Sequence, residues 1–172
     1  MNTFRIGFTA ASTLFVWGIL ALEHSRGGIV SHNILADPNL PAISNLWGAL
    51  TIPLLTFFLV SRAMRRYSRK SASAQALAFI GSLLYGAGLA TAFANGNTDI
   101  PSFMVMSVPL IALVLPTYRA EYVLGFVLGL VYTFGGVLPI GIATVLALMS
   151  VVMHQGVRRG VLWIIAKARR AE

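Results

Sequence analysis

The chain contains no cysteine, and only 5 of its 172 residues are acidic. Without cysteine it cannot form a disulfide bond, a thiolate metal site or a thiol nucleophile. Charged residues make up 10% of the sequence, against roughly a quarter in a soluble domain. Together with 57% hydrophobic residues and a mean hydropathy of +0.79, this composition predicts an all-α integral membrane protein.

Ionisable side chains are almost missing from the apolar segments, which carry hydroxyl groups and one marginal amide instead. Transport coupled to protons or ions usually needs ionisable groups at membrane depth. The sequence therefore disfavours a proton-coupled transporter.

The net charge of +8 does not indicate nucleic-acid binding, because Lys and Arg cluster at the ends of apolar segments rather than along one soluble face. No nucleotide-binding motif occurs. Haem is also disfavoured, because the three histidines do not offer two facing imidazoles at one depth. The cofactor stays unknown, with a divalent transition metal as the one candidate.

Apolar segments predict six membrane spans within a single transmembrane domain covering residues 1–172. The last two come from one stretch, Tyr122 to Gln155, which is too long for one helix and which a turn signal at Gly135-Gly136 divides. The first segment resembles a signal peptide in length, but Glu23-His24 follows it where cleavage needs small residues, so we expect a retained span. The predicted spans lie at about 4–22, 46–61, 73–94, 102–118, 122–136 and 138–155.

The basic residues predict the orientation. Six spans with both termini in the cytoplasm leave only Arg26 outside, whereas five spans would put the C-terminal basic cluster outside, against the positive-inside rule. This favours a multi-pass protein of the cell membrane, of the bacterial inner-membrane type. The residues placed inside are Arg5, Arg62, Arg65, Arg66, Arg69, Lys70, Arg119, Arg158, Arg159, Lys167, Arg169 and Arg170.

Two further features predict partners besides the bilayer itself. The cytoplasmic tail, 157–172, has apolar residues on one side of a helical wheel and most of its basic residues on the other, which is typical of an amphipathic helix on a membrane surface with anionic lipids. The spacing Gly125-x-x-x-Gly129 lets helices approach closely. It indicates either packing within the chain or the seam of a homo-oligomer.

The loop between the first two spans, residues 23–45, is predicted to lie outside and to be structured. Gly27-Gly28 permits a sharp reversal, and the apolar residues from Ile29 to Leu35 are spaced for a short helical turn at the interface. The second span is expected to begin near Leu40 to Leu46, with Asn39 as its N-cap.

This loop holds two of the three histidines and two of the five acidic residues. An imidazole and a carboxylate suit acid–base catalysis, and two imidazoles suit a transition metal. The candidates are Glu23 and His32 as catalytic residues, His24 and His32 as metal ligands, and Asp37, Ser44 and Asn45 as ligand-binding residues. The alternative is a structural network of caps and an ion pair with Arg26. His154 is expected near the inner end of the sixth span, which disfavours a site with three histidines.

Three functions of different classes follow from these features. The first is a membrane protein whose polar outer pocket binds or processes a lipid headgroup, a small polar ligand or a metal. The second is a small oligomeric transporter or channel without proton-coupling residues in the membrane. The third is a non-catalytic membrane partner subunit.

Overall fold

The computed structural model describes residues 2–34, 37, 39–68, 71–158, 160–161 and 167, and most of these residues are helical. A π-helical segment, Val152–Val157, continues the last helix, and a 3-10 turn, Asn45–Trp47, precedes the second one. The six α-helices are α1 Asn2–Ser25, α2 Gly48–Met64, α3 Ala72–Ala94, α4 Asp99–Val114, α5 Ala120–Phe134 and α6 Val137–Val151.

Four stretches of helix are long and apolar enough to cross a membrane. They are Thr3–Ser25, Asn45–Met64, Ala72–Ala94 and Val137–Val157. The helices α4 and α5 are apolar but shorter, with 16 and 15 residues, or about 24 and 22 Å. The stretch from 122 to 155 is divided into two helices at Gly135, where φ is +68°. Most of the predicted amphipathic tail, 157–172, lies outside the described residues, so that helix stays a prediction.

Contacts between helix ends show that the helices run alternately up and down. At one end of the bundle, which we call the basic end, Arg5 Nη1 donates to the Ser61 hydroxyl (3.3 Å), and Arg66 pairs with Glu121. These contacts join the start of α1 to the end of α2, and the end of α2 to the start of α5. The opposite end, which we call the hairpin end, holds the end of α1 and the start of α2.

The helix α5 lies at the centre of the bundle and crosses α3 with backbone in contact with backbone. A Cβ atom built on Gly86 would lie 2.5 Å from the Phe126 carbonyl oxygen, and one on Gly129 would lie 2.7 Å from the Ala87 amide nitrogen. Only glycine allows so close an approach. Nine α5 residues are buried: Ala120, Glu121, Leu124, Gly125, Phe126, Val127, Leu128, Leu130 and Val131.

This crossing bears on the predicted oligomer. A Cβ atom on Gly125 would overlap Ser82 and Phe79 of α3, so both glycines of the Gly125-x-x-x-Gly129 spacing face a helix of the same chain. Their close approach is used within the protomer. Homo-oligomerisation stays a prediction, but Gly125 and Gly129 are not free to form its seam.

Two details predicted for the first loop are wrong. Where a helical turn was predicted, Ser31–Asn33 instead forms β1 of an antiparallel hairpin with β2 (Ala42–Ser44), with His32 opposite Ile43. The chain takes a 3-10 conformation only at Ile34, and Leu35 lies outside the described residues. Asn39 does not cap the second span, because the 3-10 turn intervenes and α2 begins only at Gly48. Pairing between two segments nine or more residues apart satisfies backbone amides and carbonyls that a local turn would leave to water.

Candidate functional sites

The carboxylate of Glu23 ties three parts of the hairpin end together. Glu23 lies in the last turn of α1, and its carboxylate accepts hydrogen bonds from the Val30 amide (3.1 Å) and from Asn45 Nδ2 (2.7 Å). Asn45 is 5% exposed, and its own amide donates to the Val30 carbonyl (2.9 Å). One carboxylate therefore fixes the end of α1, the entry to the hairpin and the start of α2.

Asn45 also determines how the chain turns between α5 and α6. A Cβ atom on Gly135 would overlap the Asn45 side-chain oxygen. Gly135 has φ +68° and ψ −163°, a backbone conformation that is essentially restricted to glycine. Gly135, which divides residues 122–155 into two helices, is therefore also the residue against which the Asn45 side chain packs.

The remaining candidates of the first loop are spread over its length. His32 is half-buried, with its ring centroid 6.4 Å from that of Phe134. The Ser44 hydroxyl caps the 3-10 turn, since it accepts from the Leu46 amide (3.3 Å). Asp37 is exposed and accepts two hydrogen bonds from Asn39, in a local turn.

The structure thus brings Glu23 and Asn45 together and leaves Asp37 and Ser44 in separate local contacts. His24 is exposed at the end of α1. Within the described part of the chain, no three His, Cys, Asp or Glu side chains are grouped closely enough to hold a metal ion. The metal site and the acid–base pair stay predictions. Two observed contacts support the structural alternative, the Glu23 network and the Ser44 cap.

A second candidate site is a cavity of about 540 Å³ between α3, α4, α5 and α6. It is lined by the first half of α3, the second half of α4, the first half of α5 and the second half of α6, so it lies in the basic half of the bundle. Its lining residues are Ala74, Leu77, Ala78, Gly81, Ser82, Tyr85, Val108, Ile111, Leu115, Thr117, Tyr122, Val123, Phe126, Ala143, Leu146 and Ala147.

The few hydroxyl groups of this cavity are mostly bonded within the protein. Tyr85 donates to the Met104 carbonyl (2.7 Å), and Ser82 donates to the Phe79 carbonyl (3.0 Å) of its own helix. Thr117 Oγ1 lies 2.6 Å from Ser150 Oγ, in a hydrogen bond between the loop after α4 and α6. The wall that remains is aliphatic and aromatic, and it suits an apolar ligand.

A polar cluster lies beside the cavity at the basic end. Glu121 is 7% exposed, and its Oε2 is 3.6 Å from Arg66 Nη2, which is 43% exposed. Arg119 is only two residues away in the sequence, but the carboxylate pairs with an arginine from the end of α2. Its Oε2 has no hydrogen-bond donor within the described structure. Glu121 precedes Tyr122, which lines the cavity, so the ion pair adjoins the cavity wall.

His154 belongs to the same end. Its Nδ1 is 2.8 Å from the Ala112 carbonyl oxygen, so it donates a hydrogen bond there. Its Nε2 is 3.0 Å from Arg158 Nη1 and accepts from it. Since His24 and His32 lie at the hairpin end, the three histidines do not converge, as the predicted topology requires.

Sequence reasoning missed the cavity, although a signal for it was present. Along α3, small residues recur on one face at Ala74, Ala78 and Gly81, and on α6 at Ala143 and Ala147. Small side chains on facing helices leave space between them when a third helix keeps the axes apart. To recognise that these faces of α3 and α6 meet, one must know which helices are neighbours, and the sequence does not give that information.

Comparison with known proteins gives no relative to guide the interpretation of these sites. No protein family matches the chain, and neither a curated protein nor a solved structure matches it.

Proposed function

We propose that this protein is a non-catalytic membrane-embedded binding protein whose cavity between α3, α4, α5 and α6 holds the apolar chain of a lipid-like molecule. The observation that supports this function is the cavity itself, with a volume of about 540 Å³ and walls that are almost wholly apolar. Pockets for small molecules range from roughly 300 to 1,000 Å³ and combine apolar walls with a few polar groups.

Binding is favoured over catalysis by the residues around the cavity. Among the described residues that line it, none carries a carboxylate, an imidazole or an ammonium group. Of the side chains that commonly act as general acid or base, the described lining holds the tyrosines Tyr85 and Tyr122, and the Tyr85 hydroxyl is bonded to the Met104 carbonyl.

A polar transport pathway is disfavoured by the hydroxyl groups of the helices. Thr91 donates to the Ala87 carbonyl and Thr144 to the Ile140 carbonyl, each over 2.7 Å and each within its own helix. In these two threonines the hydroxyl hydrogen is used within the helix and is not available to line a water-filled path.

The proposed topology has six spans, with both termini in the cytoplasm. The proposed location is a cell membrane of the bacterial inner-membrane type. The alternating direction of the six helices supports this topology, and so does the charge at the two ends, since Arg26 alone among the described arginines lies at the hairpin end. The shorter helices α4 and α5 are accommodated by local thinning of the bilayer, at a modest cost.

The test fills the cavity with one side chain. Gly81 lines the cavity, and a Cβ atom there would have open space on all sides, so Gly81→Leu should fold and occupy the cavity. Gly141 of α6 is equally open but is not a lining residue, which makes Gly141→Leu the matched control. Both changes favour the helix by a similar amount.

Native mass spectrometry of protein released from lipid nanodiscs measures the lipid that stays bound. We expect a retained lipid in the wild type and in Gly141→Leu, and its loss in Gly81→Leu. Equal retention in all three proteins would show that the cavity does not hold the lipid and would overturn the proposed function.

A further inference from the structure

At the basic end of the bundle, the cavity is bordered by charged side chains. Thr117 and Tyr122 line the cavity at the start of α5, and the chain between them carries Arg119 and Glu121. Arg66 reaches the same place from the end of α2 through its contact with Glu121. An acyl chain lying along the wall would therefore present its headgroup to these charged side chains.

The charge at this exit is positive. Arg119 is exposed, and Arg66 is 43% exposed. Among the described residues, the carboxylate beside them is that of Glu121, which is 7% exposed. One buried carboxylate cannot neutralise two guanidinium groups, so an anionic headgroup is favoured here over a neutral one.

The Arg66 guanidinium retains donors for such a headgroup. Its Nη2 is 3.6 Å from Glu121 Oε2, which is too long for a hydrogen bond, and that oxygen has no other donor in the described structure. A guanidinium has five N–H donors in a planar fork that matches the oxygens of a phosphate. Glu121 therefore attracts Arg66 towards the cavity without using its donors.

From this charge and geometry we infer that the cavity holds one acyl chain of an anionic phospholipid, whose phosphate is bound by Arg66 and Arg119 at the cytoplasmic surface. The inference rests on the proposed function and adds the class of ligand. It differs from a general attraction of the basic end for acidic lipids, because the preference depends on the chain being seated in the cavity.

The experiment compares phosphatidylglycerol with phosphatidylcholine of matched acyl chains in mixed nanodiscs, and native mass spectrometry gives the ratio of the two lipids bound. The wild type should be enriched in phosphatidylglycerol. Arg66→Gln and Arg119→Gln should each lower the enrichment about fivefold. Arg26→Gln, at the hairpin end, is the matched control and should leave the enrichment unchanged.

Arg66→Gln alone leaves Glu121 buried without its partner and could impair folding. The double variant Arg66→Gln/Glu121→Gln removes both charges and should fold, with the same loss of enrichment. In Glu121→Gln alone, which removes the negative charge, the enrichment should not fall. A fall there, or unchanged enrichment in the double variant, would contradict binding of the phosphate by Arg66.

Gly81→Leu separates the failure of this inference from the failure of the proposed function. If the cavity is the seat of the anionic lipid, Gly81→Leu should abolish the enrichment. Enrichment that persists in Gly81→Leu would come from the surface and would overturn the inference. Retention that depends on Gly81 but shows no preference between the two lipids would overturn the ligand class alone.

Discussion

Replacing Asn45 with alanine should loosen the first loop from the helical bundle. The change removes the 2.7 Å hydrogen bond from Asn45 Nδ2 to the Glu23 carboxylate, at a position that is 5% exposed. A hydrogen bond to a charged group contributes about 1.5–3 kcal/mol, and little water can replace the lost donor at so buried a site. We therefore expect the free energy of unfolding to fall by about 2–3 kcal/mol.

A double-mutant cycle tests whether this loss comes from the pair. Glu23→Ala should also destabilise the protein, since the carboxylate accepts from both Asn45 and the Val30 amide. The double variant should then cost less than the sum of the two single changes, by about 1.5–3 kcal/mol. Asp37→Ala is the control, because that carboxylate bonds within an exposed turn, and its cost should stay below about 0.5 kcal/mol.

Unfolding in mixed micelles by titration with sodium dodecyl sulfate provides the assay, with tryptophan fluorescence as the signal. Trp47 lies two residues after Asn45, and Trp17 donates to the Ala49 carbonyl (3.2 Å), so both report on this end of the bundle. The structural role of Glu23 would be refuted if Asn45→Ala destabilised the protein no more than Asp37→Ala. It would also be refuted if the effects of Asn45→Ala and Glu23→Ala were additive. That result would favour a catalytic role for Glu23 over a structural one.

Two other predictions use the same preparations. Gly135→Ala should lower the free energy of unfolding by about 1–3 kcal/mol more than Gly96→Ala in the same titration. Both glycines have positive φ, but only at Gly135 would the added methyl group meet a neighbouring side chain. Equal losses in the two variants would contradict this prediction. The metal hypothesis for His24 and His32 predicts near-stoichiometric zinc, manganese or iron by elemental mass spectrometry, with loss of the metal in both His24→Ala and His32→Ala. It fails if the metal survives either change or is missing from the wild type.

Much of the helical framework could be predicted from hydropathy. The residue ranges predicted for the spans differ from the observed helices by no more than a few residues at any end. The division at Gly135 was predicted because a glycine pair followed by a proline interrupts helix, whatever lies around it. These features are local, since they depend on the residues of one segment.

The candidate site could be predicted only in part. The sequence predicted one polar pocket in a structured loop, and of its residues the structure joins Glu23 and Asn45 by a hydrogen bond. The predicted pocket contains Glu23, His24, His32, Asp37, Ser44 and Asn45. The sequence did not indicate the hairpin in which His32 lies opposite Ile43. A short helical turn and a short strand cannot be told apart from the polar residues of so short a segment. Nor did the sequence separate Asp37, which is satisfied by the turn that follows it.

By itself, the sequence determined an apolar helical protein with a few basic clusters at helix ends, because hydropathy and charge act on each segment independently. Only the tertiary structure decided which faces meet. It placed Gly125 and Gly129 against α3, paired Glu121 with Arg66 rather than Arg119, and formed the cavity between four helices. The physical reason is that close packing and ion pairing depend on which helices become neighbours, and an almost uniformly apolar set of helices carries little information about that choice.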